Sequence, residues 1–363
     1  MTLNMKKNGK NSKIGNVIGI FVLVLAAVFL SVGASVLFVD IAGVFCASAA
    51  SALFACLLFL AGPVPVCLCV SALSAAASFS AAYLVCGDIV NALAGLVYIA
   101  VGAFVFAGVK NKWPRTRITV GAICLLSLFH AGLVVLYFFL KTGGFSIGMV
   151  SLALDAGLGE GAEFVTGRVA AFSELSEAER AAYVKELVAN TKAMTPALFV
   201  LYNALAAYLA TSFFRFAYNI FIPMAIPGRK KIKNKYWRLD ISFVSAVTAA
   251  LAIVASPFAS SRTDPMPAII LTNLIYILAP GFCIVGLYFV HDRVFNERTG
   301  VFAVVSAVCA LVSVLVFPVA LPVFAFVLIV VGLYTTLAGD MRKFFEKAKK
   351  NLFDDTDDDD YID

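Results

Sequence analysis

Long apolar runs with almost no charged residues dominate the pattern of this chain. Residues 14–109 contain two charged side chains, Asp40 and Asp88, and residues 299–339 contain none. A helix needs about 20 consecutive apolar residues to cross the hydrocarbon core of a bilayer. Such runs follow one another here, so we expect most of the chain to form membrane-embedded helices.

Ten spans fit this pattern. Their approximate limits are 15–38, 41–61, 64–86, 89–109, 118–140, 195–216, 241–260, 265–290, 300–318 and 320–339. Two of the divisions depend on proline pairs, Pro63 with Pro65 and Pro318 with Pro322, and without them the count falls to eight. The predicted fold class is an all-α, polytopic transmembrane helical bundle of about ten spans.

The basic residues predict the orientation of these spans. Clusters of Lys and Arg precede the first span and follow every second one, at 6–13, 110–117, 229–238, 293–298 and 342–350. The positive-inside rule places such connectors in the cytoplasm, so both termini are expected there. We predict a multi-pass protein of the bacterial plasma membrane. Its expected regions are a cytoplasmic tail (1–13), a first bundle (14–140), an extracytoplasmic loop (141–194), a second bundle (195–340) and a cytoplasmic helix with an acidic, disordered tail (341–363).

Composition supports the lipid bilayer as the main partner and excludes other classes. The chain is 62% hydrophobic and 14% charged, whereas a typical soluble domain is about 25% charged. Its bases lie in short clusters between spans, which argues against nucleic acid as a partner. All eight cysteines lie in apolar runs and there are two histidines, so no ligand spacing predicts a metal or another cofactor.

The extracytoplasmic loop contains local signals of its own. We expect a flexible loop at Gly157–Gly161 rather than a phosphate-binding loop, because no strand or Lys-Ser/Thr pair accompanies it. Ser176 and Glu179 have the spacing of a capping box, which predicts an amphipathic helix. Thr195–Pro196 then predicts the start of the next span.

Polar side chains within the spans are the candidate site residues, because they are costly in hydrocarbon without a partner or water. Asp40 and Asp88 lie at outer ends of spans, where they either cap the next helix, reach the headgroups, or border an outward-facing cavity. His130 and Asn203 lie within spans. Each is expected to form an interhelical hydrogen bond. The alternative is a proton relay or substrate contact for His130 and a ligand contact for Asn203.

The eighth span combines Asn273 with Pro280 and Gly281. Proline removes a helix hydrogen bond, so this span has either a kink or a break. A broken helix would free carbonyl groups at membrane depth, as in transporter binding sites. In that case Asn273, Pro280 and Gly281 would line the same interior as His130 and Asn203.

The third span is rich in small residues between Ser71 and Ala82. Small residues allow helices to approach closely in lipid. We therefore predict a helix-packing face in this span, directed either to the interior or to a membrane-protein partner.

Several features in residues 195–345 carry a family resemblance. They are Pro196 at a span start, Arg215 at its end, Tyr236–Leu239 before the next span, Asn273 with Gly281, Gly332 in the last span and then Asp340–Lys343. In this order they resemble the YybS-like family of predicted bacterial membrane proteins. That family looks distantly similar to substrate-binding subunits of energy-coupling-factor transporters, which dock a transmembrane partner through small-residue faces. The resemblance implies such a use for Ala72-x-x-x-Ala76 and Ala77-x-x-x-Ala81.

Two hypotheses for function follow. The leading one is a membrane protein that binds or transports a small molecule. The alternative is a non-transporting scaffold of the cell envelope, which would bind a partner through the third span or the extracytoplasmic loop. We do not predict an enzyme and assign no catalytic residue, because acid–base groups are scarce and no hydrolase or nucleotide-binding motif is present.

Overall fold

The structure, a computed structural model, is helical wherever it is described. It describes residues 4–37, 41–168, 176–226, 230–233, 237–260, 265–293, 295, 305, 308 and 320–354. Within these ranges there is no β-strand, and ten helices can be delimited. They are α1 (Asn4–Val36), α2 (Ile41–Ala61), α3 (Val64–Cys86), α4 (Ile89–Lys110), α5 (Arg115–Thr142), α6 (Ile147–Arg168), α7 (Glu177–Ala225), α8 (Phe243–Ser260), α9 (Met266–Arg293) and α10 (Ala320–Asp354). The predicted all-α fold class is confirmed.

Six of these helices are long and apolar enough to cross a bilayer, namely α2, α3, α4, α5, α7 and α9. Shorter apolar segments lie in α1, α8 and α10, at Ile20–Val36, Phe243–Ala259 and Val323–Gly339. The predicted span at 300–318 falls almost entirely outside the described residues. The other predicted spans each correspond to a described helix, and the chain is a multi-pass membrane protein.

The chain forms two compact units, Met1–Arg238 and Leu239–Asp363. In the first unit, α2 packs against α1, α4 and α7, while α5 packs against α4 and α7. Helix α3 packs against α1 and α4, and α6 packs against α7. In the second unit, α9 packs against both α8 and α10.

Glycines on α4 let the helices of the first unit approach closely. A Cβ added to Gly95 would lie 2.8 Å from Ser35 Oγ, and one added to Gly102 would lie 2.5 Å from Ser51 O. Such distances are too short for any larger residue. The backbone of α4 therefore comes within hydrogen-bonding range of the hydroxyl groups on α1 and α2.

Serine hydroxyls donate hydrogen bonds to backbone carbonyls of neighbouring helices. Ser31 Oγ of α1 donates to Gly95 O at 3.0 Å, and Ser51 Oγ of α2 donates to Tyr98 O at 2.8 Å. Ser48 Oγ of α2 donates to Ala206 O of α7 at 3.0 Å. These bonds satisfy hydroxyl groups that would otherwise be costly in lipid.

Helix α7 is 49 residues long, which corresponds to about 73 Å and exceeds the roughly 30 Å of a hydrocarbon core. It begins at the predicted capping box, where Ser176 N donates to Glu179 Oε2 at 2.9 Å. The predicted helix start at Thr195–Pro196 is wrong, because the helix continues through Pro196. Proline removes one backbone hydrogen bond there, but the helix-forming residues on both sides and the packing of α7 maintain the helix.

The predicted flexible loop at Gly157–Gly161 is also wrong, because these residues lie within α6. Each glycine weakens a helix by about 1 kcal/mol relative to alanine. Packing against α7 offsets this weakness. At that contact Lys192 Nζ lies 2.7 Å from Asp155 Oδ2.

The second unit contains two long helices in close contact. Helix α9 is continuous through Pro280, and α10 joins the last predicted span and the predicted cytoplasmic helix that begins at residue 341 in one element. A Cβ added to Gly286 would collide with Leu328 O, and one added to Gly332 would collide with Phe282 O. The two backbones therefore touch at these glycines. The predicted acidic tail (355–363) lies outside the described residues.

Candidate functional site

Four polar side chains from three helices meet in the interior of the first unit. They are Tyr98 of α4, His130 of α5, and Tyr202 and Asn203 of α7, which we call the mid-bundle cluster. His130 is 3% exposed and Asn203 is fully buried. The Nδ1 atom of His130 lies 2.6 Å from Oδ1 of Asn203. His130 lies near the middle of α5, one of the helices that are long and apolar enough to cross a bilayer.

The orientation of Asn203 determines the tautomer of the neutral His130 ring. Asn203 Nδ2 donates to Phe199 O at 2.9 Å, which directs Oδ1 toward the imidazole. An amide oxygen accepts hydrogen bonds and does not donate them, so Nδ1 of His130 must carry the hydrogen. In the neutral ring Nε2 is then the atom with the lone pair, which makes it a hydrogen-bond acceptor.

The two tyrosines surround the imidazole. The ring centroid of Tyr98 lies 6.1 Å from that of His130, and the Tyr202 centroid lies 6.0 Å away on α7. The phenol groups of Tyr98 and Tyr202 lie near each other. Tyr98 is also held through its backbone, since its carbonyl accepts from Ser51. The cluster thus presents an imidazole nitrogen, phenol hydroxyls and aromatic faces.

A second buried polar group lies at the end of the first unit where α5 begins. Arg115 is 5% exposed. Its Nη1 donates to Trp237 O at 3.1 Å, and its Nη2 donates to Ser212 Oγ at 2.6 Å. The guanidinium carbon also lies 4.8 Å from the ring centroid of Tyr208. Arg115 therefore joins α5, α7 and the segment that follows α7.

Of the predicted site residues, the structure brings His130 and Asn203 together in an interhelical hydrogen bond, one of the two alternatives given for each. Asp88 is the N-cap of α4, where its Oδ2 accepts from Asn91 N at 3.3 Å. This agrees with the capping alternative for Asp88. Asp40 lies outside the described residues.

Asn273, Pro280 and Gly281 lie in α9 of the second unit and do not belong to the mid-bundle cluster. Asn273 Nδ2 donates to Ile269 O within its own helix at 2.9 Å. A Cβ added to Gly281 would lie 2.8 Å from Ile241 Cδ1, so Gly281 accommodates a packing neighbour. The structure does not show the helix break that would have made these three residues a transporter-like site.

A groove of about 500 Å³ lies between α6 and the start of α7. It is lined by Glu163, Thr166, Glu177, Arg180, Ala181, Val184 and Lys185. The groove has mixed charge and is open at the surface, unlike the buried mid-bundle cluster. Among the described residues, no group of three or more His, Cys, Asp or Glu side chains is arranged to hold a metal ion.

Sequence reasoning did not identify Tyr98, Tyr202 and Arg115. Tyrosine in membrane proteins is enriched at the interfaces, so a tyrosine at the middle of a span, such as Tyr98, was an available signal. In the sequence, Arg115 is one of several basic residues in the cluster at 110–117. Its burial depends on the packing of α5 against α7, which residue type alone does not reveal.

No family model, no curated protein and no solved structure matches the chain. The assignment of the chain as a multi-pass membrane protein therefore depends on its apolar helices. The resemblance to the YybS-like family and the location in a bacterial plasma membrane stay predictions.

Proposed function

We propose that this multi-pass membrane protein binds a small molecule at the mid-bundle cluster, as part of transport or sensing across the membrane. The observation that carries the proposal is the buried His130–Asn203 pair near the middle of two spans. Ionisable side chains at this depth are costly and usually mark ligand or proton pathways. Three helices converge on the pair, as at binding sites between helices of other bundles.

The chemistry of the cluster favours a particular class of ligand. The neutral imidazole offers an acceptor at Nε2, and the rings of Tyr98 and Tyr202 offer aromatic faces. An acceptor binds a hydroxyl, amide or ammonium donor, and aromatic faces attract cations and apolar groups. We therefore expect an amphipathic ligand with a hydrogen-bond donor, such as an amine or an alcohol.

Chemical modification of His130 tests this proposal. The chain has two histidines, so a His291→Gln background leaves a single imidazole. Diethyl pyrocarbonate reacts with neutral imidazole nitrogen, and mass spectrometry measures the product. We expect His130 to react in the folded protein in nanodiscs, and we expect some members of a panel of amines and alcohols to slow the reaction with saturation.

Matched tyrosine variants provide the control. Tyr202→Phe removes a hydroxyl from the cluster. It should weaken the affinity for such a ligand about fivefold to tenfold, the usual effect of one lost hydrogen bond. Tyr218→Phe alters a buried tyrosine of α7 outside the cluster and should not change the affinity. If His130 reacts only after denaturation, the cluster is closed to ligands and the proposal is wrong.

An exposed face of α3 supports the second candidate function, a scaffold that binds another membrane protein. Ser74, Ser78 and Ala82 face the interior of the unit and are buried. Ala72, Ala76 and Ala77 of the same helix are exposed. The small-residue helix thus has an internal packing stripe and a separate outer stripe where another helix would approach closely.

Site-specific crosslinking in cells tests the scaffold. A photoreactive residue at Ala76 should capture a single defined membrane protein, whereas the same residue at Ser78 should capture none because Ser78 faces inward. Equal capture at the two positions, or capture of lipid alone at Ala76, would reject this candidate.

A further inference from the structure

Lys112 has an unusual backbone conformation at the end of α4. Its φ is 56°, and it is the one non-glycine residue with positive φ in the part of the chain that the structure describes. Lys112 N donates to Val109 O and Trp113 N donates to Gly108 O, which are the two bonds of a Schellman motif. Glycine is the usual residue at this position because a side chain is strained there. A strained lysine suggests that its charge has a use.

Lys231 and Lys233 flank a residue that is fixed to α7. Ile232 N donates to Asn219 Oδ1 at 2.7 Å, and Asn219 Nδ2 donates to Ile232 O at 3.0 Å. Arg215 Nε donates to the same carbonyl at 3.3 Å. Both lysines are exposed. Because the backbone between them is already ordered, binding a ligand costs them less conformational entropy than it would cost a free loop.

Arg115 shows that the α4–α5 turn and this lysine segment lie at the same end of the first unit. It begins α5 directly after the turn and donates to Trp237 O. Trp113 lies in the turn, where the guanidinium carbon of Arg117 is 4.5 Å from the centroid of its ring. Tryptophan prefers the headgroup layer of a bilayer.

Apolar side chains are exposed on α5 and α7, close along the chain to this end of the unit. Val120 of α5 is 52% exposed and Phe216 of α7 is 70% exposed. A phosphate near the bases would therefore have apolar surface beside it on which acyl chains pack. A free phosphate ion has no apolar group that could pack on that surface.

We propose that this end of the first unit is a specific binding site for the phosphate of an anionic phospholipid headgroup. The six exposed bases of the site are Lys110, Lys112, Arg117, Lys230, Lys231 and Lys233. This end is the one predicted to face the cytoplasm. Like charges at one end of the unit repel one another, and an anionic headgroup bound there relieves that repulsion. The proposal does not depend on the mid-bundle cluster.

Native mass spectrometry of the purified full chain tests the site, with phosphatidylglycerol and phosphatidylcholine added at equal concentrations. We expect more and longer-lived adducts with phosphatidylglycerol. Lys231→Gln and Lys233→Gln should each weaken phosphatidylglycerol binding about fivefold, the effect expected for one charge at a membrane surface. Equal binding of the two lipids would overturn the proposal.

Lys112→Gly separates a role in binding from a role in folding. The substitution removes a charge but relieves the strained conformation. It should weaken phosphatidylglycerol binding about fivefold while leaving the melting temperature unchanged or higher. Unchanged lipid binding in this well-folded variant would count against the site.

Two further variants test the geometry and the specificity. Asn219→Ala keeps every charge but releases Ile232, so it should weaken phosphatidylglycerol binding if the fixed backbone matters. Lys185→Gln removes one charge from the distant, exposed part of α7 and should have no effect. If Lys185→Gln weakens the binding as much as Lys231→Gln, overall charge is the cause and the site is rejected.

Competition with glycerol 3-phosphate distinguishes a lipid from a soluble phosphate. The soluble headgroup lacks acyl chains, so at equal concentration it should not displace phosphatidylglycerol. Displacement at that concentration would show a site for a soluble phosphate and would contradict the proposal.

Discussion

The two units of the protein hold their helices together in different ways. Among the described residues, all buried polar and charged side chains belong to the first unit, from Ser31 to Thr211. There, serines bind carbonyls of neighbouring helices and His130 binds Asn203. In the second unit, the contact between α9 and α10 is made by Gly286 and Gly332 against backbone atoms.

This contrast reflects the two means of helix association in lipid, where apolar burial between helices contributes little. One is interhelical hydrogen bonding and the other is close backbone packing at small residues. The contact between α9 and α10 uses close backbone packing at Gly286 and Gly332. The first unit adds polar groups, which can also form directional hydrogen bonds to a ligand. The candidate site therefore lies where helix packing already requires buried polar side chains.

The largest loss of stability should come from a substitution at the glycine contact between α9 and α10. Gly332→Ala places a methyl group against Phe282 O and 2.9 Å from Gly286 N, and such overpacking should cost about 3 kcal/mol. Gly339→Ala is the control in the same helix, because its added Cβ has no atom within 4 Å apart from its chain neighbours and the nearby backbone of its own helix. It should stabilise α10 slightly. Unfolding in a detergent titration measures both, and similar results for the two variants would show that α9 and α10 do not touch at Gly332.

Substitution of Arg115 should give the next largest loss of stability. Arg115→Met removes charge-assisted hydrogen bonds to Trp237 O and Ser212, which should cost about 2 kcal/mol. In a Trp113→Phe background Trp237 is the single tryptophan, and acrylamide should quench its fluorescence more in the variant. The exposed Arg117, changed to Met, should leave quenching the same. Equal quenching with and without Arg115 would mean that it does not hold Trp237 in place.

Individual serine hydrogen bonds should have smaller effects. Ser51→Ala removes the bond to Tyr98 O and should cost about 0.6 kcal/mol, the average for interhelical hydrogen bonds in a membrane protein. Ser74→Ala is the contrasting variant, since the buried hydroxyl of Ser74 has no hydrogen-bond partner within the described residues. Its removal should be neutral or stabilising. Thermal unfolding of both variants decides whether hydrogen bonding or volume matters at these positions.

The capping box of α7 should give the smallest effect, a pH dependence outside the membrane. Hydrogen bonds from the Ser176 hydroxyl and backbone N–H lower the pKa of the Glu179 carboxyl. A lowered folded-state pKa stabilises the helix start above the ordinary pKa of a carboxyl, and this stability is lost as pH falls through the lowered value. Hydrogen exchange at residues 176–180 should therefore gain protection as pH rises through that range, after correction for intrinsic rates. Glu179→Gln should abolish the pH dependence.

The membrane-crossing helices could be predicted from the sequence because charge-free length is nearly sufficient to define a span. The limits of α2, α3 and α4 agree closely with the predicted spans. The cap at Asp88 was also predictable, since it depends on residues three positions apart. Local signals were misleading at Pro196 and at Gly157–Gly161, where packing of α6 and α7 maintains helices despite unfavourable residues.

The candidate site could be predicted only in part. The sequence identified His130 and Asn203 as costly polar groups, but 73 positions separate them, and no local rule pairs such distant residues. Tyr98 and Tyr202 join the pair because of the rotation of α4 and α7 about their axes, which periodicity cannot fix in an almost uniformly apolar helix.

Helix α7 offers the most direct test of a membrane-spanning bundle. Single cysteines at Ser176 and Lys231, exposed positions beyond its two ends, can be introduced into a background without the native cysteines. A membrane-impermeant maleimide should label Ser176→Cys in intact cells and should label Lys231→Cys only after the cells are opened. Equal labelling of both positions in intact cells would contradict a bundle in which α7 crosses the membrane.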